Sequence, residues 1–394
     1  MATDLASANA WLDIPECQVA DLAAIVETKT DLREFPLADE VTSNVLVYGA
    51  AVRQAVESST HRRVLQSELV RAFLDGPGVV IFSQAMDPDL VDSASAVFTR
   101  LLREQAEAGT AGSDHFARPG ANGRLWGALD KLAVADPRVF AAYYANDVIA
   151  LASEAWVGPN YQVTSQLNVV YPGGQAQVPH RDYHLGFMNA TQAQAYPRQA
   201  HRLSPMLTLQ GAIAHVDMPV ESGPTLLLPH SQKYQAGYVA CHLPEFTEYI
   251  TPRLIQVPLR KGDAVFFNPA LIHGAGTNRT SDVARMANLL QVSSAFGRPI
   301  ETVDTTAVTL LVYPVLLEWT RAEVAPERIA NVVAAAASGY PFPTNLDRDA
   351  PIGAMAPQSQ AAVVHQALAE KWDIARLRSV LTDQEARRCS PISH

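Results

Sequence analysis

The sequence predicts a mainly β core with flanking helices, folded as a double-stranded β-helix, or jelly roll. Three observations predict it. From Pro159 to about residue 300, short β-rich runs such as "YQVTSQLNVVYPGG", "MLTLQGAIAHVDM" and "LIQVPLRKGDAVFFN" alternate with Gly and Pro turns. On either side of that region, apolar residues recur at helical spacing. Finally, 48% hydrophobic against 18% charged residues supplies a substantial core and argues against a disordered chain.

The 394 residues divide accordingly. Residues 1–75 read as a helical N-terminal extension, 76–300 as a cupin-like β domain, and 301–394 as a helical C-terminal extension serving as a lid or dimerisation element. Within the first part, "VYGAAVRQAVESSTHRRVLQSELVRAFLDG" carries helical periodicity and stops at Gly76. "GVVIF" is β-branched and reads as a strand. "DPDLVDSASAVFTRLLREQAEAG" opens on Asp-Pro-Asp and keeps Leu90, Val91, Ala94, Val97, Phe98, Leu101 and Leu102 on one face, so it reads as an amphipathic helix ending at Gly109. Residues 136–158 hold one or two more helices. Inside the β region, Lys261-Gly262-Asp263 signals a tight turn, and 188–206 interrupts the strands as a polar insert. Beyond it, 325–339 is a helix with Gly339 as its C-cap, and 357–381 is a further amphipathic helix.

Charge and cysteine usage narrow the function classes. Net charge is −10 and there is no Lys/Arg run, which speaks against a nucleic-acid partner. No apolar run approaches the roughly 20 residues of a membrane span. Cys17, Cys241 and Cys389 are odd in number and far apart, the usage of reduced intracellular thiols. The N-terminus lacks a basic segment followed by an apolar one. A cytoplasmic protein, monomer or homodimer, acting on a small molecule is the expectation.

The stretch "QVPHRDYHLGF" carries the chemistry. Read as a helix, His180 and His184 would form an i,i+4 zinc pair, but the position after the first His is Arg181 rather than Glu, and Pro179 and Gly186 oppose a helix. Read as a strand, alternation puts His180 and Asp182 on one face and Arg181 on the other. A His-x-Asp pair with one distant His is the facial triad of non-haem iron oxygenases: two imidazoles and a carboxylate cover one face of the ion and leave the other open. His273 supplies the third ligand, 91 residues after Asp182 (273 minus 182), at the end of an apolar run and before Gly274 and Gly276. Arg285 opens the next strand, and its planar fork suits a carboxylate. Arg279 is a second candidate anchor, but "TNRTSD" reads as a turn.

On these motifs the chain resembles the phytanoyl-CoA dioxygenase family of Fe(II)/2-oxoglutarate oxygenases. "HRDYHLGF", "AHVDMPVESGPTLLLPHSQK", "KGDAVFFNPALIHGAGTNRT" and "ARMANLLQVS" are similar to that family's signature segments, and "FLDGPGVVIFSQAMDPDLVD" to its upstream strand and helix. The likeness spans roughly residues 70–297. One departure is Pro229-His230-Ser231-Gln232, where the family usually has Pro-Gly-Ser-His.

The resemblance implies iron bound by His180, Asp182 and His273, and 2-oxoglutarate held by Arg285. Members of the family also use polar side chains on the strand before the His-x-Asp, which here points to Gln166 and Asn168. O₂ would be the oxidant, with succinate and CO₂ as co-products. Related halogenases replace the carboxylate ligand with a small residue, so Asp182 favours hydroxylation or another C–H oxidation. His184 is expected beside the site, against the substrate or behind the ligands. Arg181, Arg198 and Arg202, with Arg118 and Arg124 in a Gly-rich loop, are candidates for an anionic substrate. Two other classes stay open: a cupin-like metal enzyme without 2-oxoglutarate, and a binding protein that has lost catalysis.

Overall fold

The computed structural model describes residues 10–110, 122–184, 186–342, 344–351 and 353–390. Ten strands are formed among them: β1 (Glu40–Thr42), β2 (Val45–Tyr48), β3 (Val79–Phe82), β4 (Asn122–Leu125), β5 (Gln162–Val170), β6 (Thr208–Ala214), β7 (Leu226–Leu228), β8 (Ala264–Phe267), β9 (Ile272–Gly274) and β10 (Arg285–Ser293). Eight build one large sheet in the order β1-β2-β3-β8-β6-β10-β5-β4, and β7 and β9 pair as a second. Isolated bridges widen the small sheet: His180 pairs with His273 and Ile255 with Leu227. The result is a jelly roll of two sheets whose large sheet is not closed into a barrel.

β10 organises the large sheet. It pairs antiparallel with β5 on one edge and β6 on the other, so that Leu289 lies opposite both Gln166 and Ala212. Its side chains alternate as a strand requires. Arg285, Ala287, Leu289 and Gln291 face a cavity between the sheets, while Met286, Leu290 and Val292 face a layer of helices. Close strand packing selects glycine at one point: a Cβ on Gly211 would come within 2.5 Å of the Phe266 ring on β8.

The helical layer covers the outer face. The helix Pro88–Glu107 starts with Asp87 accepting from the Asp89 N–H and with Pro88 in its first turn. Residues 136–158 form two helices, Pro137–Tyr144 and Asp147–Val157, each capped by an Asp or Asn side chain. The C-terminal helices Thr305–Arg321, Pro326–Ala336, Gln360–Ala369 and Ile374–Arg388 share the same core through Val312, Tyr313, Val332, Val364 and Leu377. Among the described residues, none after Ile300 lines the cavity.

The structure differs from the sequence reading in four places. The first 75 residues are not all helical: β1 and β2 form a hairpin that joins the large sheet, β2 running parallel to β3. Its turn, Ser43 and Asn44, takes left-handed φ values of 51° and 68°, as two-residue hairpins require. The long helix expected after Val47 is two helices, Ala50–Glu57 and Ser59–Leu74, divided at Ser58, which caps the second. The segment "GRLWG" is not loop, because Arg124 lies on edge strand β4 paired with β5; Arg118 lies outside the described residues. The helix ending near Gly339 stops at Ala336 with Ala337 as its cap. By contrast Gly262, at φ 91°, makes the expected turn, and the Asp263 carboxylate ties it to the Gln84 and Arg260 N–H groups at 2.8 Å each.

Among the described residues, no helix is long and apolar enough to cross a membrane.

Candidate metal centre

His180, Asp182 and His273 converge. Their ligating atoms all lie within 4.8 Å of one another, and the three are the one such cluster of His, Cys, Asp or Glu among the described residues. The Nε2 atoms of His180 and His273 stand 3.7 and 3.6 Å from the Asp182 carboxylate oxygens. All three residues are buried.

The backbone sets this geometry. The segment holding His180 and Asp182 is not a regular strand, yet it is bonded like one: His180 bridges His273, and the Asp182 N–H donates to the Pro269 carbonyl at 3.0 Å. His273 sits in β9. Each ring is then fixed by its other nitrogen. His180 Nδ1 donates to the Val178 carbonyl and His273 Nδ1 to the Leu271 carbonyl, both at 2.8 Å. Those bonds select the tautomer whose Nε2 is the coordinating nitrogen.

Electrostatics fit the same reading. Burial, reinforced by the neighbouring His273, lowers the His180 pKa and keeps its imidazole neutral. Burial opposes ionisation of Asp182, but the two imidazoles and the Gln210 amide outweigh it and hold its carboxyl below the usual range. Asp182 Oδ2 accepts from Gln210 Nε2, while Oδ1 is buried with no hydrogen-bond partner. A buried carboxylate oxygen left in that state calls for a cation. Two imidazole nitrogens and one anionic oxygen on one side of a cavity suit a first-row divalent metal with open positions.

Arg285 lies at the start of β10 and faces the cavity with 6% of its surface exposed. Its Nη1 donates to the Ser222 and Gly276 carbonyls at 3.3 and 3.2 Å. Burial lowers its pKa to about 10, which leaves it cationic at neutral pH. Gln166 and Asn168, alternate residues of β5, line the same cavity. Arg279 is exposed and outside it.

The other arginines are not brought there. Arg181 points away from the cavity, as alternation expects, and is buried as a structural cation. It donates to the Tyr234 carbonyl at 2.8 Å and to the Ser231 carbonyl, and lies over the Tyr238 ring. Arg198 pairs with Glu16 of the N-terminal segment, and Arg202 donates to Gln235. Neither lines the cavity. His184 does not line it either. The chain turns at Tyr183–Gly186 instead of continuing as a strand, and the His184 ring is buried with Nδ1 2.6 Å from Thr208 Oγ1. Arg124 is the exception: it reaches the cavity from β4, with its guanidinium over Trp126 and bonded to Gln166.

Among the lining residues not singled out from sequence are Trp126 and Gln210. Trp126 had no motif to mark it. Gln210 carries a signal of sorts, an amide inside the largely apolar run "MLTLQGAIA". His230 explains the departure in the Pro-Gly-Ser-His segment. It adopts the left-handed φ of 71° that a glycine would take, and its ring reaches Thr30 Oγ1 at 3.1 Å and Lys233 Nζ at 2.9 Å.

Comparison with known proteins adds to this geometry. A family model described as phytanoyl-CoA dioxygenase (PhyH) matches residues 62–287, more than half of the chain. A probable phytanoyl-CoA dioxygenase of Caenorhabditis elegans is 37% identical over 22% of this chain and 28% of its own length. The dioxygenase cdmD of Talaromyces verruculosus is 28% identical over 34% of this chain and 42% of its own. The chain thus spans less than half the length of either curated relative. Among solved structures, the non-heme alpha ketoglutarate dependent carbocyclase SnoK from nogalamycin biosynthesis aligns with a TM-score of 0.43 and 21% identity, over 59% of this chain and 86% of that one.

Proposed function

The chain belongs to the phytanoyl-CoA dioxygenase family, and from that premise we propose that it is an Fe(II)- and 2-oxoglutarate-dependent oxygenase that oxidises a C–H bond of a small organic molecule. The observation that carries the reading is the buried trio of His180, Asp182 and His273, with both rings held in the ligating tautomer and a carboxylate oxygen lacking any hydrogen-bond partner.

With iron and both co-substrates bound, the centre supplies an oxidant that converts R–H, O₂ and 2-oxoglutarate into R–OH, succinate and CO₂. The protein's own residues do the rest. His180, Asp182 and His273 hold the metal from one side and leave the cavity side open. Arg285 meets the far carboxylate of 2-oxoglutarate with a fixed cation in a water-poor setting. Gln166 and Asn168 offer amide groups along the wall between them. Leu259, Val265 and Phe267 add apolar side chains to the cavity lining, Phe267 with its ring 4.7 Å from that of His273, which limits water near the metal.

The test is anaerobic addition of 2-oxoglutarate to the Fe(II)-loaded protein, followed by visible absorption, then exposure to O₂ and assay of succinate. A charge-transfer band and succinate release are expected. Iron binding with neither signal would leave a cupin-like metal protein that does not use 2-oxoglutarate.

A further inference from the structure

The Gln210 side chain is fixed by chemistry at both ends. A carboxylate only accepts hydrogen bonds, so the atom of Gln210 that meets Asp182 Oδ2 is the amide nitrogen. The amide cannot be flipped without setting two acceptors against each other. Its carbonyl Oε1 therefore belongs to the cavity that Gln210 lines, and there it is buried with no hydrogen-bond partner in the protein. Gln210 is 4% exposed, and a buried amide oxygen in that state needs a donor.

Strand register says which ligand could provide one. On β10, Gln210 lies opposite Gln291, whereas Arg285 opens the same strand six residues earlier (291 minus 285). At about 3.3 Å per residue, that puts their backbones about 20 Å apart along the strand, while the Arg285 guanidinium itself reaches to within 3.2 Å of the Gly276 carbonyl, three residues after His273 (276 minus 273). A co-substrate reaching from the metal towards Arg285 thus extends away from Gln210. Asn168, the other cavity amide with a buried unpartnered oxygen, lies opposite Ala287, nearer the Arg285 end.

We propose that Gln210 serves the site twice, orienting Asp182 through its N–H and receiving through its carbonyl a hydroxyl or amine N–H of the substrate beside the carbon to be oxidised. The substrate class is therefore an alcohol or amine rather than a bare hydrocarbon. This inference rests on the iron-centre reading of the preceding subsection.

The experiment uses the full chain loaded with Co(II) in place of iron, with 2-oxoglutarate present. Wild type and the near-isosteric Gln210→Met are compared. Metal affinity is measured first, by calorimetry. Absorption changes are then followed with a paired panel: primary and secondary alcohols and amines, each beside its O-methyl or N,N-dimethyl counterpart. Gln210→Met should bind Co(II) roughly ten- to a hundredfold more weakly. In wild type, at least one donor-bearing probe should bind roughly tenfold more tightly than its capped partner, and that preference should shrink in Gln210→Met. Equal metal affinity in the two proteins overturns the orienting role. Capped probes binding as well as their parents, a preference unchanged in the variant, or no probe binding overturns the substrate contact, since a water on the carbonyl would give that pattern. Failure of wild type to bind Co(II) at all would instead count against the iron-centre reading.

Discussion

His180 and His273 exchange both of their main-chain hydrogen bonds: the His180 N–H donates to the His273 carbonyl at 2.9 Å, and the His273 N–H to the His180 carbonyl at 3.0 Å. Two ligands remote in sequence are thereby neighbours before any metal arrives. The imidazoles hang from a ladder rung, so their spacing depends on the backbone and only weakly on side-chain packing.

This separates metal binding from folding. His180→Ala and His273→Ala should each abolish stoichiometric Fe(II) binding, because either leaves a two-ligand site. Both rung hydrogen bonds survive the substitutions, so the melting temperature should move by no more than about 2–4 °C. Calorimetric metal titration beside thermal unfolding checks this. A variant that unfolds but binds metal where folded would refute the separation.

Arg285 should govern 2-oxoglutarate affinity and its alkaline limit. Removing a charged hydrogen-bonding partner costs about 1.5–3 kcal/mol, so Arg285→Ala should raise the KM for 2-oxoglutarate by roughly ten- to a hundredfold while sparing Fe(II) affinity. With its pKa lowered to about 10, Arg285 carries its charge throughout the neutral range and loses it as pH rises through 10. Affinity for 2-oxoglutarate should hold from pH 6 to about 9 and fall above that. A flat profile to pH 11 would argue against Arg285 as the anchor.

Arg181 sits between two metal ligands in sequence but serves packing. Its guanidinium satisfies the Ser231 and Tyr234 carbonyls, and a Cβ at Gly237 would fall on the guanidinium carbon at 2.0 Å. Arg181→Met should cost about 2–4 kcal/mol of unfolding free energy, from buried carbonyls left without donors. The KM for 2-oxoglutarate should change by less than roughly threefold. A tenfold rise in KM with stability intact would return Arg181 to the site.

His215 should set part of the acid sensitivity. Tyr143 OH donates to its Nε2 at 2.9 Å and its Nδ1 donates to Ser95 Oγ at 2.8 Å, a chain that suits only the neutral ring. Burial lowers its pKa to about 3. As pH falls, the unfolded chain takes up a proton near the ordinary value of about 6.5, while the folded protein does not until near 3. Stability is therefore lost between those values, by on the order of 3 kcal/mol at pH 4 from this residue. Denaturant unfolding from pH 7 to pH 4 should fall less steeply in His215→Gln than in wild type. Equal slopes would assign the acid limb to other groups.

Much of the centre was legible in sequence because it obeys local rules. His180 and Asp182 are separated by the strand period, and His273 ends an apolar run before glycines. What was not legible depends on contacts distant in sequence. Arg198 looked like a cavity arginine because its partner, Glu16, is 182 residues away. Arg124 looked like loop because its strand exists only through pairing with β5. β1 and β2 were hidden because their turn, Ser43-Asn44, lacks the glycine that usually marks a hairpin, and because Val47 and Tyr48 lead directly into a helical pattern. Gln210 showed no role, since one amide among apolar strand residues acquires meaning only when Asp182 is placed beside it.

The hairpin of β1 and β2 bears on ancestry as well as architecture. The stretch matched by the family model begins at residue 62, downstream of both strands, and ends at 287, upstream of the C-terminal helices. What is inherited as a recognisable unit is therefore smaller than what folds as one. A graft of that unit alone would carry every metal ligand and Arg285, yet it would cut β10 after its third residue, bare the β3 backbone that β2 now pairs with and uncover apolar surface beneath the lost helices. Such an edge invites pairing with another copy, so the graft should elute as an aggregate in size exclusion where the whole chain does not. Moving this chemistry into another chain would therefore mean moving the rest of β10, the hairpin and the C-terminal helices with it.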